Sequence, residues 1–421
     1  MNKDSVKTSK SMEALKINDR RLWNRLMEMA AIGATPKGGV CRVALTDEDK
    51  QGRELFIKWA KDAGCEIDVD KIGNIYARRK GKNNDLPAVM IGSHLDSQPT
   101  GGKFDGVMGV LAGLEVIETL NDLNLETDVP IEVVSWTNEE GARFSPAMIA
   151  SGVFSGAFSL EYAYSRMDAQ GRTLGEELQR IGFLGDAHVG NRPYKATFEL
   201  HIEQGPILES NETSIGVVTG VQGIRWYDLS IKGKETHAGP FPLSHRKDTV
   251  KKVSALLPEI YKLAEAYSPD SRVTIGYLNT SPGVRNTVPG SLEMSIDLRH
   301  PDNNMLMEMD EGLKSIVKEA MKDGFDLELN EVWYSPPVKF DENCVAAVRK
   351  ASEKLHIEYQ EMVSGAGHDS VYISQVAPTS MIFIPCKDGL SHNELESAKK
   401  QDVTKGCNVL LNAVLQMANN K

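Results

Sequence analysis

Five side chains able to bind a divalent cation, three imidazoles and two carboxylates, stand beside apolar runs in this chain. Ala88–Gly92 leads to His94, with Asp96 two residues on, and Ile131–Trp136 leads to Glu139 and Glu140. Thr197–Ile202 carries His201 and is followed by Glu203 and Gln204, and the run ending at Ile384 is followed by His392. Asp105 opens an apolar stretch beginning at Val107. Imidazole and carboxylate without thiolate suit zinc, or manganese, cobalt or nickel. His94, Asp105, Glu140, His201 and His392 exceed the needs of one catalytic zinc with an open position. Two ions sharing a bridging carboxylate would use all five, and such pairs sit about 3.5–4 Å apart. A hydrolytic site also needs a base, so the adjacent Glu139 and Glu140 could divide the roles of ligand and proton carrier. Asp96 is placed to hold the second ring nitrogen of His94.

This reading requires the apolar runs to be strands of one sheet, since ligands of open α/β sheets bind beyond the carboxyl ends of the strands. Ala88–Gly92, Ile131–Trp136, Thr197–Ile202 and Ser380–Ile384 have strand length and β-branched content. Helical spacing lies between and around them, at Asp47–Gly64, Val107–Leu120 and Glu342–His356. The alternation predicts an α/β fold with a mainly parallel, buried sheet. Residues 1–22 are polar and read as a loose lead-in. Between 215 and 332 the pattern changes. Candidate strands at 215–221, 224–232, 272–279, 291–299 and 325–332 are interspersed with helices at 248–267 and 304–322. Leu292, Met294, Ile296 and Leu298 alternate with polar residues, which implies a half-buried sheet. The expected organisation is a catalytic domain over 1–213 and 333–421, with a smaller α+β domain inserted at 214–332.

Composition narrows the partners. The 421 residues carry 48 Lys+Arg against 59 Asp+Glu, a net charge of −11. That balance, without a basic run, argues against nucleic acid or an anionic membrane as partner. Apolar stretches such as Val107–Leu114 are far shorter than the roughly 18 residues of a membrane span. Met1–Lys7 lacks the apolar run of a signal peptide. Five scattered cysteines with no CxxC pair fit reduced thiols in the cytoplasm. Gly106, Gly109 and Gly113 do not spell a dinucleotide fingerprint and read as close helix–sheet packing. His188, His245, His300 and His356 lack a comparable setting and read as ordinary surface or core residues.

Six segments together resemble a known family. They are Gly-Ser-His94-Leu-Asp96 through Phe-Asp105-Gly, Thr-Asn-Glu139-Glu140-Gly-Ala-Arg-Phe, His201-Ile-Glu-Gln204-Gly, Glu-Thr-His237-Ala-Gly-Pro, Ser-Gly-Ala-Gly-His368-Asp and Gly-Leu-Ser-His392-Asn. They are similar to the dinuclear-metal amidohydrolases that include N-carbamoyl-L-amino acid hydrolase, β-ureidopropionase and allantoate amidohydrolase. This is the amidase branch of the aminoacylase/carboxypeptidase G superfamily. The resemblance implies two divalent ions bridged by Asp105, with His94 and His201 on one and Glu140 and His392 on the other. It implies Glu139 as general base. Peptidases of the superfamily place a carboxylate where His201 stands, so an amide or ureido substrate is favoured.

The resemblance also makes the inserted domain a lid that forms a homodimer, with His237 reaching the neighbouring subunit's site to stabilise the oxyanion. Asn286 and Arg299 then hold a substrate carboxylate, and Gln204 and His368 are further contacts. By itself, Arg299 on the polar face of a strand reads as a surface ion pair with Asp297, although its guanidinium also matches a carboxylate bidentately. The implied reaction converts an N-carbamoyl amino acid, an α- or β-ureido acid, to amino acid, ammonia and carbon dioxide. Allantoate hydrolysis is the alternative. A metallo-aminoacylase or dipeptidase, or a metal-binding protein without catalysis, is a lesser one.

Overall fold

The apolar runs that precede the candidate ligands lie side by side. In a computed structural model, which describes residues 14–419, Ile131–Trp136, Ala88–His94, Tyr194–Ile202 and Thr379–Ile384 form four adjacent parallel strands. All residues of Ala88–His94, Ile131–Trp136 and Thr379–Ile384 are buried, as expected for strands covered on both faces. Antiparallel strands flank this centre. Glu66–Val69 and Ile75–Arg79 extend one side and Ile215–Val221 and Val338–Lys339 the other, and with Tyr359–Ser364, which pairs with Ile215–Val221, the sheet has nine strands. The helices Val107–Asp122, Glu342–Lys354 and Lys400–Asn419 pack on the sheet and on one another. A Cβ on Gly109 would lie 2.6 Å from the Leu200 carbonyl oxygen, and one on Gly113 would lie 3.0 Å from Ile91 and Val133. Both glycines therefore serve close helix–sheet packing.

Residues 1–13, with most of the polar lead-in and the Met1–Lys7 stretch, lie outside the described residues. From Leu15 onward the lead-in is anchored. The N–H groups of Leu15 and Ile17 donate to the side chains of Asn412 (3.2 Å) and Asn408 (2.9 Å), and Asn18 caps a helix at Asp19–Ala31. Among the described residues no helix is long and apolar enough to cross a membrane.

The chain divides into two compact units, residues up to Thr219 together with Phe340 onward, and Gly220–Lys339. The division falls a few residues beyond 214 and 332. Ile215–Val221 pairs with Thr379–Ile384 in the large sheet, and the strand beginning at Asp326 continues to Ser335. In the second unit Gly223–Lys232 lies between Ser291–His300 and Asp326–Ser335. Leu292, Met294, Ile296 and Leu298 turn into a core shared with the helices Thr249–Glu265 and Asn303–Ala320. The stretch 272–279 is two short strands, Arg272–Thr274 and Leu278–Ser281, both against Ser291–His300. Their registers leave one extra residue around Gly276, the signature of a bulge.

A buried ion pair fixes the approach to the carboxyl ends of the strands. Arg53 and Asp49 are both fully buried and meet at 2.8 Å. The Arg53 guanidinium also donates to the Gly73 carbonyl (2.8 Å) and the Thr137 hydroxyl (3.3 Å). The Thr137 N–H is in turn held by Asn74 at 3.0 Å. Asp49→Ala leaves that guanidinium buried without its carboxylate, and urea unfolding is expected to show a loss of about 3–5 kcal/mol.

Candidate metal centre

His94 is the last residue of its strand and His201 the penultimate residue of its own. Both imidazoles are oriented by backbone. Nδ1 of His94 lies 2.9 Å from the Asp96 carbonyl oxygen, and Nδ1 of His201 lies 2.9 Å from the Ile202 carbonyl oxygen. A carbonyl only accepts, so each Nδ1 carries a hydrogen and each Nε2 is the nitrogen left to meet a cation. Those two Nε2 atoms face Asp105 Oδ1 at 3.6 and 3.1 Å. The other oxygen of Asp105 faces His392 Nε2 at 3.6 Å, and His392 Nε2 lies 3.2 Å from Glu140 Oε2. Two groups of three potential ligands result, His94–Asp105–His201 and Asp105–Glu140–His392, each with ligand atoms within 4.8 Å of one another.

Asp105 can stand there because of its neighbour. Gly106 has φ +67°, and a Cβ on it would lie 2.3 Å from the His94 ring. It thus serves the imidazole and a γ-turn closed by the Val107 N–H on the Asp105 carbonyl at 2.7 Å, a role distinct from that of Gly109 and Gly113. The Asp96 carboxylate has a different task from the one its spacing suggests. It stands 3.9 Å from His94 Nδ1, and its oxygens accept the backbone N–H groups of Glu139 and Glu140, each at 3.3 Å. The Asp96 carbonyl, and not its side chain, orients the imidazole. Asp96 therefore shapes the turn that presents the two glutamates.

Glu139 is buried, with Oε2 3.4 Å from His94 Nε2. Burial, reinforced by Asp369, Glu140 and Asp96, pushes its carboxyl well above the usual range against the pull of His94. Burial also opposes the charged form of His94, yet Glu139, Asp105, Asp96 and Glu140 together raise that imidazole. Asp105 goes the other way. Its burial is outweighed by His201 and His94, which hold it well below the ordinary carboxylate value. Arg143, from the Thr-Asn-Glu-Glu-Gly-Ala-Arg-Phe segment, anchors the glutamate loop through Asp168, Glu177 (2.7 Å) and the carbonyls of Ala44 and Leu45.

Gln204 and His368 join this cluster. Gln204, at φ +59°, donates to Asp105 Oδ2 (2.9 Å) and to the Ser391 hydroxyl (3.0 Å). The His368 ring packs edge-on against His201 at 4.6 Å, and burial together with His201 drives it well below the ordinary histidine value. His237, Asn286 and Arg299 belong to the unit Gly220–Lys339. The first two are neighbours there, since His237 pairs with Thr287 and the Ala238 N–H donates to the Asn286 carbonyl at 2.9 Å. Arg299 forks onto Asp297, with its closest contact at 2.7 Å. Sequence reading missed Glu199, which accepts hydroxyls from Ser93 (2.9 Å) and Ser370 (2.6 Å), and Glu396, which accepts the N–H groups of Phe104 and Asp105. Glu199 could have been noticed two residues before His201, on the same strand face.

The donor set fits divalent ions. Two Nε2 atoms, a third imidazole and both oxygens of a buried carboxylate converge, and Glu140 and Glu139 add negative charge beside them. Buried carboxylates at such spacing repel each other unless cations lie between them. The nitrogen and oxygen character suits zinc and its neighbours in the first transition row.

A parallel-centred sheet with imidazole–carboxylate groups gathered beyond its strand ends is the arrangement of a hydrolase whose site could hold divalent metal. The pattern of Peptidase family M20/M25/M40 matches residues 90–416, and the chain belongs to this family. It is 46% identical over 411 residues to an N-carbamoyl-L-amino-acid amidohydrolase of Rhizobium meliloti, covering 96% of this chain and 98% of that one. An allantoate amidohydrolase of Escherichia coli is 33% identical, over 93% of this chain and 96% of its own. A crystal structure of an amidase of the hydantoinase/carbamoylase family from Burkholderia multivorans superposes with a TM-score of 0.94 at 53% identity. That match covers 96% of this chain and 99% of that one.

Gly106→Ala tests the packing beneath the cluster. The positive φ costs about 1–2 kcal/mol for a residue with a Cβ, and the methyl displaces the His94 ring. Equilibrium dialysis against zinc is expected to show about 10–100-fold weaker binding, by analogy with the loss of a ligand's supporting partner.

Proposed function

We propose that this chain is a metal-dependent amidohydrolase that cleaves the carbamoyl C–N bond of N-carbamoyl amino acids. The products are the amino acid, ammonia and carbon dioxide. The carrying observation is Asp105, whose two oxygens face two separate ligand groups beside a buried, proton-hungry Glu139. His94, Asp105 and His201 would hold one ion, and Asp105, Glu140 and His392 the other, with zinc the leading candidate and manganese, cobalt or nickel the alternatives. Ions held there would supply Lewis acidity toward the carbamoyl carbonyl and lower the pKa of the attacking water.

The chain's own residues do the rest. Glu139 takes the water proton and delivers it to the departing nitrogen, a role supported by its burial and its raised proton affinity. On the resemblance, the block His201-Ile-Glu-Gln204-Gly separates this branch from the peptidases, which place a carboxylate where His201 stands. Gln204 and His368 are assigned substrate contacts. On the resemblance, Asn286 and Arg299 receive the substrate carboxylate and His237 stabilises the oxyanion of a neighbouring subunit's substrate, in a homodimer. Arg299 is paired with Asp297, the ion pair its place on the polar strand face predicts, so its substrate role rests on the resemblance and on the match of a guanidinium fork to a carboxylate. Free cysteines at all five positions support a reducing, cytoplasmic setting.

The 46% relative favours N-carbamoyl amino acids over allantoate as substrate. Ammonia release measured side by side from N-carbamoyl-L-amino acids, N-carbamoyl-β-alanine and allantoate is expected to be fastest with an N-carbamoyl-L-amino acid. Chelation should abolish turnover, and added zinc, manganese or cobalt should restore it. Full activity in metal-free protein would overturn the reading. Glu139→Gln should retain the ions and lose at least about 100-fold in kcat; a smaller loss places the base elsewhere. Mixing His237→Ala with Glu139→Gln protein should regenerate activity in hybrid dimers, and none will return if each subunit is self-contained.

A further inference from the structure

The two ligand groups differ in how they are held. His94 and His201 sit on central strands, and each is locked through Nδ1 to a backbone carbonyl. His392 belongs to a loop eight residues beyond its strand, has φ +52°, and its side chain is 51% exposed. Something must keep that loop against Asp105, and the structure contains such a strut. Glu396 is 4% exposed, and its Oε1 accepts the N–H of Phe104 at 2.8 Å and of Asp105 at 3.1 Å. The same loop grips Asp105 from its other end, where the Ser391 hydroxyl donates to Oδ2 at 2.6 Å. Glu396 N–H donates to the Asn393 carbonyl at 3.0 Å, which closes the turn immediately after His392. The opposite segment has a slot for this carboxylate. A Cβ on Gly102 would lie 2.0 Å from the Glu396 carboxyl carbon, so a glycine there admits the group.

We propose that Glu396 is a positioning residue that fastens the His392 loop to the Asp105 segment and thereby assembles the Asp105–Glu140–His392 site, leaving the His94–Asp105–His201 site to the strands. The inference rests on the two-ion reading of the centre. Glu396 touches no candidate ligand atom. It acts by holding two backbone N–H groups, one of them that of Asp105. Because Oε2 makes no hydrogen bond among the described residues, a glutamine can keep the Oε1 contacts with its carbonyl oxygen.

Metal-free protein titrated with zinc by calorimetry reads the two sites separately. For Glu396→Ala one of the two sites is expected to lose about 10–100-fold in affinity while the other stays within about threefold, the scale on which supporting partners of ligands act. Glu396→Gln should bind both ions as the wild type does. Gly102→Ala, whose methyl occupies the place of the carboxylate, should reproduce the Ala phenotype by an independent route. Equal weakening of both sites, no weakening of either, or a Gln variant as impaired as Ala would each overturn the proposal. A wild-type chain that binds one ion would overturn the two-ion reading and this inference with it. Two ions in the wild type with both sites unaltered in Glu396→Ala would overturn the strut alone.

Discussion

A carboxylate has two oxygens, and in this protein both oxygens of Asp105 are committed to different partners. One faces the imidazoles of His94 and His201, the other the imidazole of His392 together with Ser391 and Gln204. The surrounding architecture can be understood as the means of holding that one side chain still. The helix Val107–Asp122 starts immediately behind it, Gly106 lets the backbone turn over the His94 ring, and Glu396 ties down the backbone N–H. Desolvation opposes a charged Asp105, yet the imidazoles keep it ionised. Burying so many carboxylates near one another is costly unless positive charge neutralises them.

The electrostatic division between Asp105 and Glu139 follows from their neighbours. Asp105 faces imidazoles and is driven toward the ionised form, whereas Glu139 lies among Asp369, Glu140 and Asp96 and is driven toward the protonated form. Two neighbouring carboxylates thus acquire opposite tendencies from the charges around them. Asp96 contributes by aiming backbone, since its oxygens hold the N–H groups of both glutamates.

Support for the site comes in two grades of rigidity. The imidazoles on strands inherit the stiffness of a sheet buried on both faces. The glutamate turn depends on buried charges further back, through Arg53 on Thr137 and Arg143 on the carbonyls of Ala44 and Leu45. The His392 loop is the most solvent-exposed part of the cluster, and its hold on Asp105 comes from Ser391 and Glu396.

Much of this is legible in the amino-acid sequence. Apolar runs of strand length declared the parallel centre because strands buried on both faces must be apolar throughout, and the alternating residues from Leu292 to Leu298 declared a sheet covered on one face. Polar residues beside those runs had to gather at one rim, so the meeting of His94, Asp105, Glu140, His201 and His392 in two adjoining groups followed from the sequence. Three things required the tertiary structure. These were which nitrogen of each histidine turns inward, that Asp96 serves the glutamate N–H groups instead of the imidazole, and that Glu396 reaches back across 291 residues to the Asp105 backbone. Ile215–Val221 also joined the large sheet only through its pairing with Thr379–Ile384. Periodicity records which side of an element is buried, a property local to that element. Hydrogen-bond partners are chosen among backbone groups brought together from distant parts of the chain, and no local pattern encodes that choice.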